Sequence, residues 1–298
     1  MKKIINPIST SILEKEINKD TFVRKTNYCN HDIYIVDYHN HPNATMEIGR
    51  LRELSFRNAG GGTGKSYDLD EFDTREEAFY KQLIVWDPEE KKIIGGYRFI
   101  LGNDVISSSK YNNTATNNLF DFSTDFYSKT LGLTIELGRS FVQPEYQPSS
   151  GNRKAIFSLD NLWDGLGALV VDHPEIKYFF GKVTMYLDFN KKGRDLILGF
   201  MNHFFKDKDQ WISAKQPLEL HHDIGYFIEQ IQELDYKESY KILTKKLKEL
   251  NCSLPPLIAA YMNLSSSMKT FGTAMNSKFG DVEETGILIS IDDIYPEK

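Results

Sequence analysis

The segment AGGGTGKS at residues 59–66 has the residue types and spacing of a phosphate-binding loop. Such a loop holds phosphate with backbone N–H groups, and it must follow a buried apolar strand and open an apolar helix. Here a charged amphipathic helix precedes the loop, and the acidic run DLDEFD at 68–73 follows it. Because this run repels phosphate, we predict that the loop binds no nucleotide. It is either a flexible connection or a loop that closes over a different substrate.

Two pairs of histidines are the next candidates for chemistry, His39 with His41 and His221 with His222. Neither pair has cysteines or carboxylates at the spacing of metal ligands. We interpret all four as surface or loop histidines and predict no metal site. The sequence also lacks the G-x-S-x-G element that carries a nucleophilic serine, which argues against a serine hydrolase.

The elements that must position a site are both strands and helices. Apolar patterning predicts strands at 33–38, 78–86, 93–101, 134–142, 178–187 and 286–294, and helices at 43–58, 155–171, 190–205 and 235–250. The strands at 78–86 and 93–101 form a hairpin, and the Asn- and Ser-rich residues 103–118 are predicted to be a loop. The pattern indicates an α/β (α+β) fold, a central mixed sheet flanked by helices.

Composition bears on whether the protein binds nucleic acid and on the cellular compartment in which it works. The net charge of −6 argues against non-specific binding of nucleic acid, which needs a basic surface. The two cysteines, Cys29 and Cys252, are no disulfide framework and suit a reducing cytosol. No signal peptide or membrane span is recognised. We therefore predict a cytoplasmic protein, with any membrane contact being peripheral.

Five motifs lie in one order along the chain: RLRELSF, GTGKS, DLDEFD, GGYRF and ELGRSFVQPEY. This order resembles the GNAT-superfamily acyltransferases that make N-acyl amino acids, the ornithine-lipid or glycine-lipid type often labelled hemolysin. It is similar, more distantly, to acyl-homoserine-lactone synthases. The resemblance covers about residues 30–205 and implies a GNAT-like core over 31–205. An N-terminal extension, 1–30, and a C-terminal extension, 206–298, which packs on the core, would complete the chain.

The resemblance implies transfer of a fatty acyl group, often 3-hydroxylated, from acyl carrier protein to the amino group of glycine or ornithine. The product would be a lyso-aminolipid, and no cofactor would be permanently bound. One alternative is an acetyl-CoA-dependent N-acetyltransferase, and another is a lipid-binding, hemolysin-like protein without enzymatic activity. The turn QPSSGN at 147–152 has one displaced glycine, unlike the pyrophosphate turn of CoA-dependent relatives. It therefore favours an acyl-phosphopantetheine arm on a carrier protein as the donor, with acyl-CoA as the alternative.

The resemblance also assigns site residues by position. The implied catalytic residues are Glu136, Arg139, Asp70 and Asp73, and the implied substrate-binding residues are Arg52, Phe56, Arg98, Gly138, Ser140 and Phe141. An amino acid is mostly ammonium near neutral pH, so amide formation needs a base that takes its proton. Glu136 is the candidate, and a structural ion pair is the alternative role for it.

The spacing of Glu136 and Arg139 raises a geometric problem. In a regular strand, residues three apart point to opposite faces of the sheet. A bulge would re-aim one of the two, and Gly138 is a plausible place for it, because bulges are frequent beside active sites. The resemblance implies that backbone N–H groups near 138–141 stabilise the oxyanion of the tetrahedral intermediate.

The acidic run has two interpretations, and Arg98 has one requirement. Asp70 and Asp73 either hold the incoming ammonium and anchor the loop to Arg52 and Arg98, or form a solvated acidic turn. Arg98 lies within an apolar strand, where an unpaired charge is costly. It therefore needs a carboxylate partner, which Asp70, Asp73 or Glu136 would supply.

A local basic patch is the candidate docking surface for an acidic carrier protein. It would comprise Arg153, Lys154, Lys191, Lys192 and Arg194. The alternative is that these are ordinary surface residues.

Overall fold

The computed structural model describes residues 1–295, except for the side chains of Arg153 and Lys154. The helices are α1 (Thr10–Glu16), α2 (Pro42–Asn58), α3 (Glu71–Thr74), α4 (Gly102–Ser107), α5 (Ser158–Asp172), α6 (Lys191–Phe204), α7 (Gly225–Ile231), α8 (Tyr236–Glu249) and α9 (Pro256–Met262). The strands are β1 (Phe22–Lys25), β2 (Asp32–Val36), β3 (Lys81–Asp87), β4 (Lys92–Leu101), β5 (Phe120–Phe122), β6 (Thr134–Val142), β7 (Tyr178–Met185), β8 (Ile212–Ala214), β9 (Lys269–Asn276) and β10 (Val282–Ser290).

The first of two compact units comprises residues 1–115, 131–176 and 278–280. Its strands are antiparallel neighbours in the order β1, β2, β3, β4, β6. Helix α5 packs on one face of this sheet, where a Cβ added to Gly165 would lie 2.5 Å from Cδ2 of Leu83. The next residue back on β3, Gln82, points to the other face and accepts a hydrogen bond from Arg52 of α2. The alternation of β3 therefore places α5 and α2 on opposite faces.

Strand β6 contains a bulge. Its register with β4 places one residue of β4, Tyr97, opposite two residues of β6, Arg139 and Ser140. Arg139 has a φ of 51°, in the left-handed region that costs a non-glycine residue about 1–3 kcal/mol. The bulge predicted beside Gly138 is confirmed. Its consequence is that Arg139 lies on the same face as Glu136, which a regular strand would forbid.

The second compact unit comprises residues 116–130, 177–277 and 281 onward. Here β10 lies between β7 and β9, antiparallel to both, and β5 pairs with β8. Helix α6 packs against α7 and α8. The predicted division of the chain at residues 30 and 205 stays a prediction.

The expected α/β class, with helices flanking sheet strands, is confirmed. The predicted loop at 103–118 is wrong at its start, because α4 ends only at Ser107. Strand β9, with the sequence KTFGTAMN, was not predicted, because it lacks clean alternation of apolar and polar residues. Within residues 1–295, none of the helices has both the length and the apolar character that a membrane crossing requires.

Candidate active site

The Gly-rich loop after α2 is held by a buried carboxylate. Glu53 accepts hydrogen bonds from the backbone N–H of Thr63 (3.0 Å) and of Gly64 (2.8 Å), and from the Thr63 hydroxyl (2.7 Å). Burial alone would raise the pKa of Glu53, but the bonds from Thr63 and Arg57 outweigh it and lower that pKa. The backbone N–H groups that a phosphate would need thus already donate to Glu53. The element before the loop is also a helix, whereas a phosphate-binding loop follows a strand.

Six charged side chains form one network on the face of the first unit's sheet that α2 covers. They come from α2, from the acidic run, from β4 and from the bulge of β6: Arg52, Asp68, Asp70, Asp73, Arg98 and Arg139. Four of the side chains are at most 4% exposed, whereas Asp70 is 27% and Arg139 is 15% exposed. Asp70 and Arg139 therefore form the solvent-facing edge of the network.

Asp73 lies between two arginines. Its Oδ1 is 3.4 Å from Nη1 of Arg52, and its Oδ2 is 3.1 Å from Nη1 of Arg98. The same nitrogen of Arg98 is 2.8 Å from Oδ1 of Asp70. Gln82 completes the contacts by donating to Oδ1 of Asp73 over 3.0 Å. The carboxylates required by Arg98 are thus Asp70 and Asp73, and a solvated acidic turn is the wrong interpretation for Asp73.

Arg139 joins the network from the bulge. Its Nε is 2.8 Å from Oδ2 of Asp68, and its Nη2 is 3.8 Å from Oδ2 of Asp70. Its guanidinium lies 4.1 Å from the ring centroid of Phe279. The Phe279 ring packs edge-on against Phe56 at 4.9 Å, and Phe56 is buried in the core. Arg139 therefore has an aromatic ring on one side and two carboxylates on the other.

Within the network the pKa of Asp70 is lowered, whereas the pKa values of Asp68 and Arg98 are raised. Burial by itself would raise the pKa of Asp70, but the Arg98 guanidinium, helped by Arg139 and Arg52, holds that pKa well below its usual range. Burial dominates at Asp68 and raises its pKa, against the pull of Arg139. Burial would lower the pKa of Arg98, yet Asp70 and Asp73 raise it well above the usual value. Asp70 is therefore the firmly ionised carboxylate at the open edge.

Glu136 is buried and held by a tyrosine. The hydroxyl of Tyr80 donates to Oε1 of Glu136 over 2.7 Å and accepts the backbone N–H of Ala115 over 2.9 Å. Burial, and then the Glu136 carboxylate, raise the pKa of Tyr80 well above 10, so the phenol keeps its proton. The Arg98 guanidinium lies 4.9 Å from the Tyr80 ring centroid. Tyr80 thus connects Glu136 to the charged network.

Three members of this site were not found from the sequence: Asp68, Tyr80 and Gln82. Asp68 opens the acidic run from which only Asp70 and Asp73 were selected. Gln82 is a polar residue inside an apolar strand and is fully buried. A buried polar group needs a hydrogen-bond partner, and this requirement is the signal that could have identified it. Nothing in the local pattern marked Tyr80.

The remaining predicted site residues lie around the bulge. Gly138 and Ser140 are half-buried, and Phe141 is buried. The Cβ direction of Gly138 faces the Arg98 side chain, 3.5 Å from its Nε. Gly138, one of the predicted binding residues, thus lies next to the charged network.

The predicted docking patch needs a correction. Arg194 is 1% exposed, with Nε 2.8 Å from Oδ1 of Asp195 and Nη1 3.4 Å from Oε1 of Glu283. A buried guanidinium with two carboxylate partners does not contribute to a surface patch. Lys191 is half-exposed and pairs with the same Glu283 at 3.2 Å, and Lys192 is exposed. The side chains of Arg153 and Lys154 lie outside the described residues.

The turn after β6 uses its own backbone N–H groups. Pro144 and Pro148 have none, and those of residues 146, 147 and 150 donate to carbonyls inside the turn. The N–H of Asn152 donates to the Ser150 hydroxyl over 3.2 Å. Few amides are left over for a pyrophosphate in this segment.

Metal ligands are not gathered anywhere in the described chain. Across residues 1–295, no group of three or more His, Cys, Asp or Glu side chains could hold a metal ion. Of the histidine pairs, His222 bonds to Asp195, with Nδ1 2.9 Å from Oδ2.

Comparisons with known proteins show what this chain is similar to. A family model described as an acetyltransferase (GNAT) domain matches residues 51–155, which contain the whole charged network and Glu136. A glycine Nα-acyltransferase of Bacteroides thetaiotaomicron is 50% identical over 299 residues, covering all of this chain and 88% of the relative. A glycine Nα-acyltransferase of Phocaeicola vulgatus is 49% identical, covering all of this chain and 91% of the relative.

Among solved structures, a CoA-dependent acyl-homoserine lactone synthase is similar with a TM-score of 0.39 and 10% identity, covering 90% of this chain and 85% of that one. The sequence relatives decide the family, because they match all of this chain at about half identity. The chain belongs to the GNAT-superfamily N-acyltransferase family that includes the two glycine Nα-acyltransferases, and it is an acyltransferase.

Proposed function

We propose that this acyltransferase moves a fatty acyl group from the thioester of an acyl carrier protein to the amino group of glycine. The amine nitrogen bonds to the thioester carbonyl carbon, and the carbon–sulfur bond breaks. The products are an N-acylglycine and the free thiol of the phosphopantetheine arm. Both named relatives, which match this chain over its whole length, support glycine as the acceptor.

The observation that carries the proposal is the buried carboxylate of Glu136. It lies on β6, the strand that contains the bulge, and accepts a hydrogen bond from Tyr80. Glycine arrives as a zwitterion, so its ammonium must lose a proton before the nitrogen can attack. Glu136 takes that proton, directly or through water. After attack, the nitrogen gives up a second proton, which the departing thiolate takes up to become the thiol, and Glu136 releases the first proton to solvent. General-base help of this kind contributes on the order of 10²–10⁴ to the rate.

The open edge of the network matches a small zwitterion. Asp70 and Arg139 are its partly exposed members, one negative and one positive. The Asp70 carboxylate would hold the ammonium of glycine, and the Arg139 guanidinium its carboxylate. The more deeply buried charges keep these two side chains in place, because Arg98 pairs with Asp70 and Asp68 pairs with Arg139. Backbone N–H groups at 138–141 would bond the oxyanion.

The turn at 144–152 supports a carrier protein as the donor. Two prolines and internal hydrogen bonds leave few N–H groups that could bind the pyrophosphate of CoA. A phosphopantetheine arm carries a single phosphate and needs no such cradle. Lys192, exposed at the start of α6, is the remaining candidate of the second unit for contact with an acidic carrier.

The experiment is mass spectrometry of lipids from cells that express this chain alone, followed by assays with purified protein. Glycine and ornithine are offered separately, each with long-chain acyl carrier protein, long-chain acyl-CoA or acetyl-CoA. N-acylglycine formed from acyl carrier protein supports the proposal. Formation of N-acylornithine would identify ornithine as the acceptor instead of glycine. Formation of N-acetylglycine from acetyl-CoA alone would identify acetyl-CoA as the donor instead of acyl carrier protein. Membrane lysis without any acyl transfer would favour the hemolysin-like alternative.

A further inference from the structure

The second unit contains a cavity of about 520 Å³ between α6, α7, β9 and the segment 217–224. This volume lies in the range of roughly 300–1,000 Å³ that small-molecule sites occupy. Its wall is formed mainly by aliphatic side chains and one methionine: Leu198, Met201, Leu218, Leu220, Ile224 and Ile228.

The threonines that line the strand side of the cavity have their hydroxyls bonded within the protein. The hydroxyls of Thr273 and Thr285 bond to each other over 2.7 Å, and the hydroxyl of Thr270 donates to the carbonyl of Phe205 over 3.3 Å. Because these hydroxyls are engaged within the protein, the threonines offer an occupant mostly methyl groups. An alkyl chain suits this interior better than a polar molecule does.

One side of the cavity is polar and positively charged. Asn202 and His203 lie in the last turn of α6, Lys206 lies two residues beyond its end, and all three are exposed. A lysine beside an apolar cavity matches a ligand that has an anionic head group and an apolar tail.

The wall segment is fixed by a buried carboxylate. Oδ2 of Asp195 accepts the backbone N–H groups of His221 (3.0 Å) and His222 (2.8 Å) and contacts Nδ1 of His222. Asp195 itself is fully buried and pairs with Arg194. The cavity wall is therefore preformed, so binding has little loop ordering to oppose it.

We propose that this cavity binds the acyl chain of a carboxylate-headed lipid, with the carboxylate at Lys206. The chemistry fits both a free fatty acid and an N-acyl amino acid, and the latter identification rests on the proposed function. Such a site would hold a lipid chain within the second unit.

The test measures binding without any acyl donor, so that it does not depend on turnover. Purified protein is titrated with a fluorescent fatty acid, which palmitate and N-palmitoylglycine then displace. Leu218→Trp fills the cavity and should weaken binding by about tenfold or more, since it excludes several methylene groups. Leu187→Trp is the matched control on an exposed leucine outside the cavity lining and should bind like the wild type.

The head group is tested with Lys206→Glu and with palmityl alcohol. We expect Lys206→Glu to weaken palmitate binding while leaving binding of the alcohol unchanged. Stronger competition by N-palmitoylglycine than by palmitate identifies the reaction product as the occupant, and the reverse identifies fatty acid. Absence of saturable binding, or equal binding by Leu218→Trp and Leu187→Trp, overturns the proposal. Failure of glycine acylation in the turnover assay would leave this binding result standing.

Discussion

The hydroxyl of Tyr80 lies 2.7 Å from Oε1 of Glu136, and the proton between them belongs to the tyrosine. The backbone N–H of Ala115 occupies the hydroxyl's acceptor side, so the phenol hydrogen can only point at the carboxylate. This orientation makes Glu136 an acceptor at Oε1, which is the form a general base requires. The relationship yields the first two predictions.

Glu136→Gln should keep the fold and lose most of the activity. A glutamine still accepts the Tyr80 hydrogen bond through its amide oxygen, so the thermal unfolding midpoint should stay close to that of the wild type. It takes no proton from glycine, so kcat should fall by about 10²–10⁴. Steady-state rates with acyl carrier protein, together with thermal unfolding, check this. Rates near the wild-type value would remove Glu136 from the role of base.

Tyr80→Phe should separate positioning from chemistry. The variant removes a donor to the Glu136 carboxylate and leaves the Ala115 N–H without its acceptor, at a cost of about 1–3 kcal/mol in stability. We expect a lower kcat with a nearly unchanged KM for glycine, because the Glu136 carboxylate loses the hydrogen bond that orients it. Tyr34→Phe is a control, since Tyr34 bonds Asp32 instead. Rate losses that simply multiply in the double variant Tyr80→Phe/Glu136→Gln would contradict a role through Glu136.

Arg139→Ala should destabilise the protein more than loss of a surface ion pair does. Asp68 is 1% exposed and would be left without its closest cation, which costs about 3–5 kcal/mol for a buried pair. Adding Asp68→Asn to Arg139→Ala should recover part of that loss. Glu145→Ala, which breaks the exposed pair with Lys92, should change the free energy of unfolding by less than about 1 kcal/mol. Urea unfolding of the four proteins decides whether the Arg139 pair is structural.

Asp70 should make stability depend on acid pH. Its folded-state pKa lies below the unfolded value, so its contribution is complete above the ordinary aspartate pKa of about 4 and is lost as the pH falls. Asp70→Asn should therefore be less stable than the wild type near about pH 7, and the gap should narrow towards about pH 3. Free energies of unfolding at several pH values measure it. A gap that is constant with pH would show that Asp70 has no such shift.

The Gly-rich loop should not respond to nucleotides. Glu53 already occupies the N–H groups of Thr63 and Gly64, so ATP with Mg²⁺ should leave the unfolding midpoint and the activity unchanged. Glu53→Ala removes these acceptors and should lower the midpoint, whereas Lys65→Ala, on the exposed part of the loop motif, should not. Stabilisation by ATP that Lys65→Ala abolishes would restore the phosphate-loop interpretation.

Several features of the site follow from local sequence. The need of Arg98 for a carboxylate follows from a charge placed in an apolar strand, and Asp70 and Asp73 meet it. The boundaries of β6 agree with the predicted 134–142, because strand alternation is a local property. The bulge was anticipated from the spacing of Glu136 and Arg139.

Other features needed the folded chain. Arg194 carries the same charge as Lys192 two residues away, yet it is buried because Asp195 and Glu283 neutralise it there. Tyr80 contacts Glu136 across 56 positions of sequence, and only the path of the chain makes them neighbours.

By itself, the sequence determined the α/β class, the order of most strands and helices, the acyltransferase family and the residues with which its chemistry begins. Periodicity and motif order are written along the chain, so they can be read without a structure. The tertiary structure decided which carboxylate meets which arginine, that Asp70 and Arg139 face solvent, and that Tyr80 holds Glu136. Those choices depend on strand register and on the desolvation of each charge, which arise only when distant segments pack together.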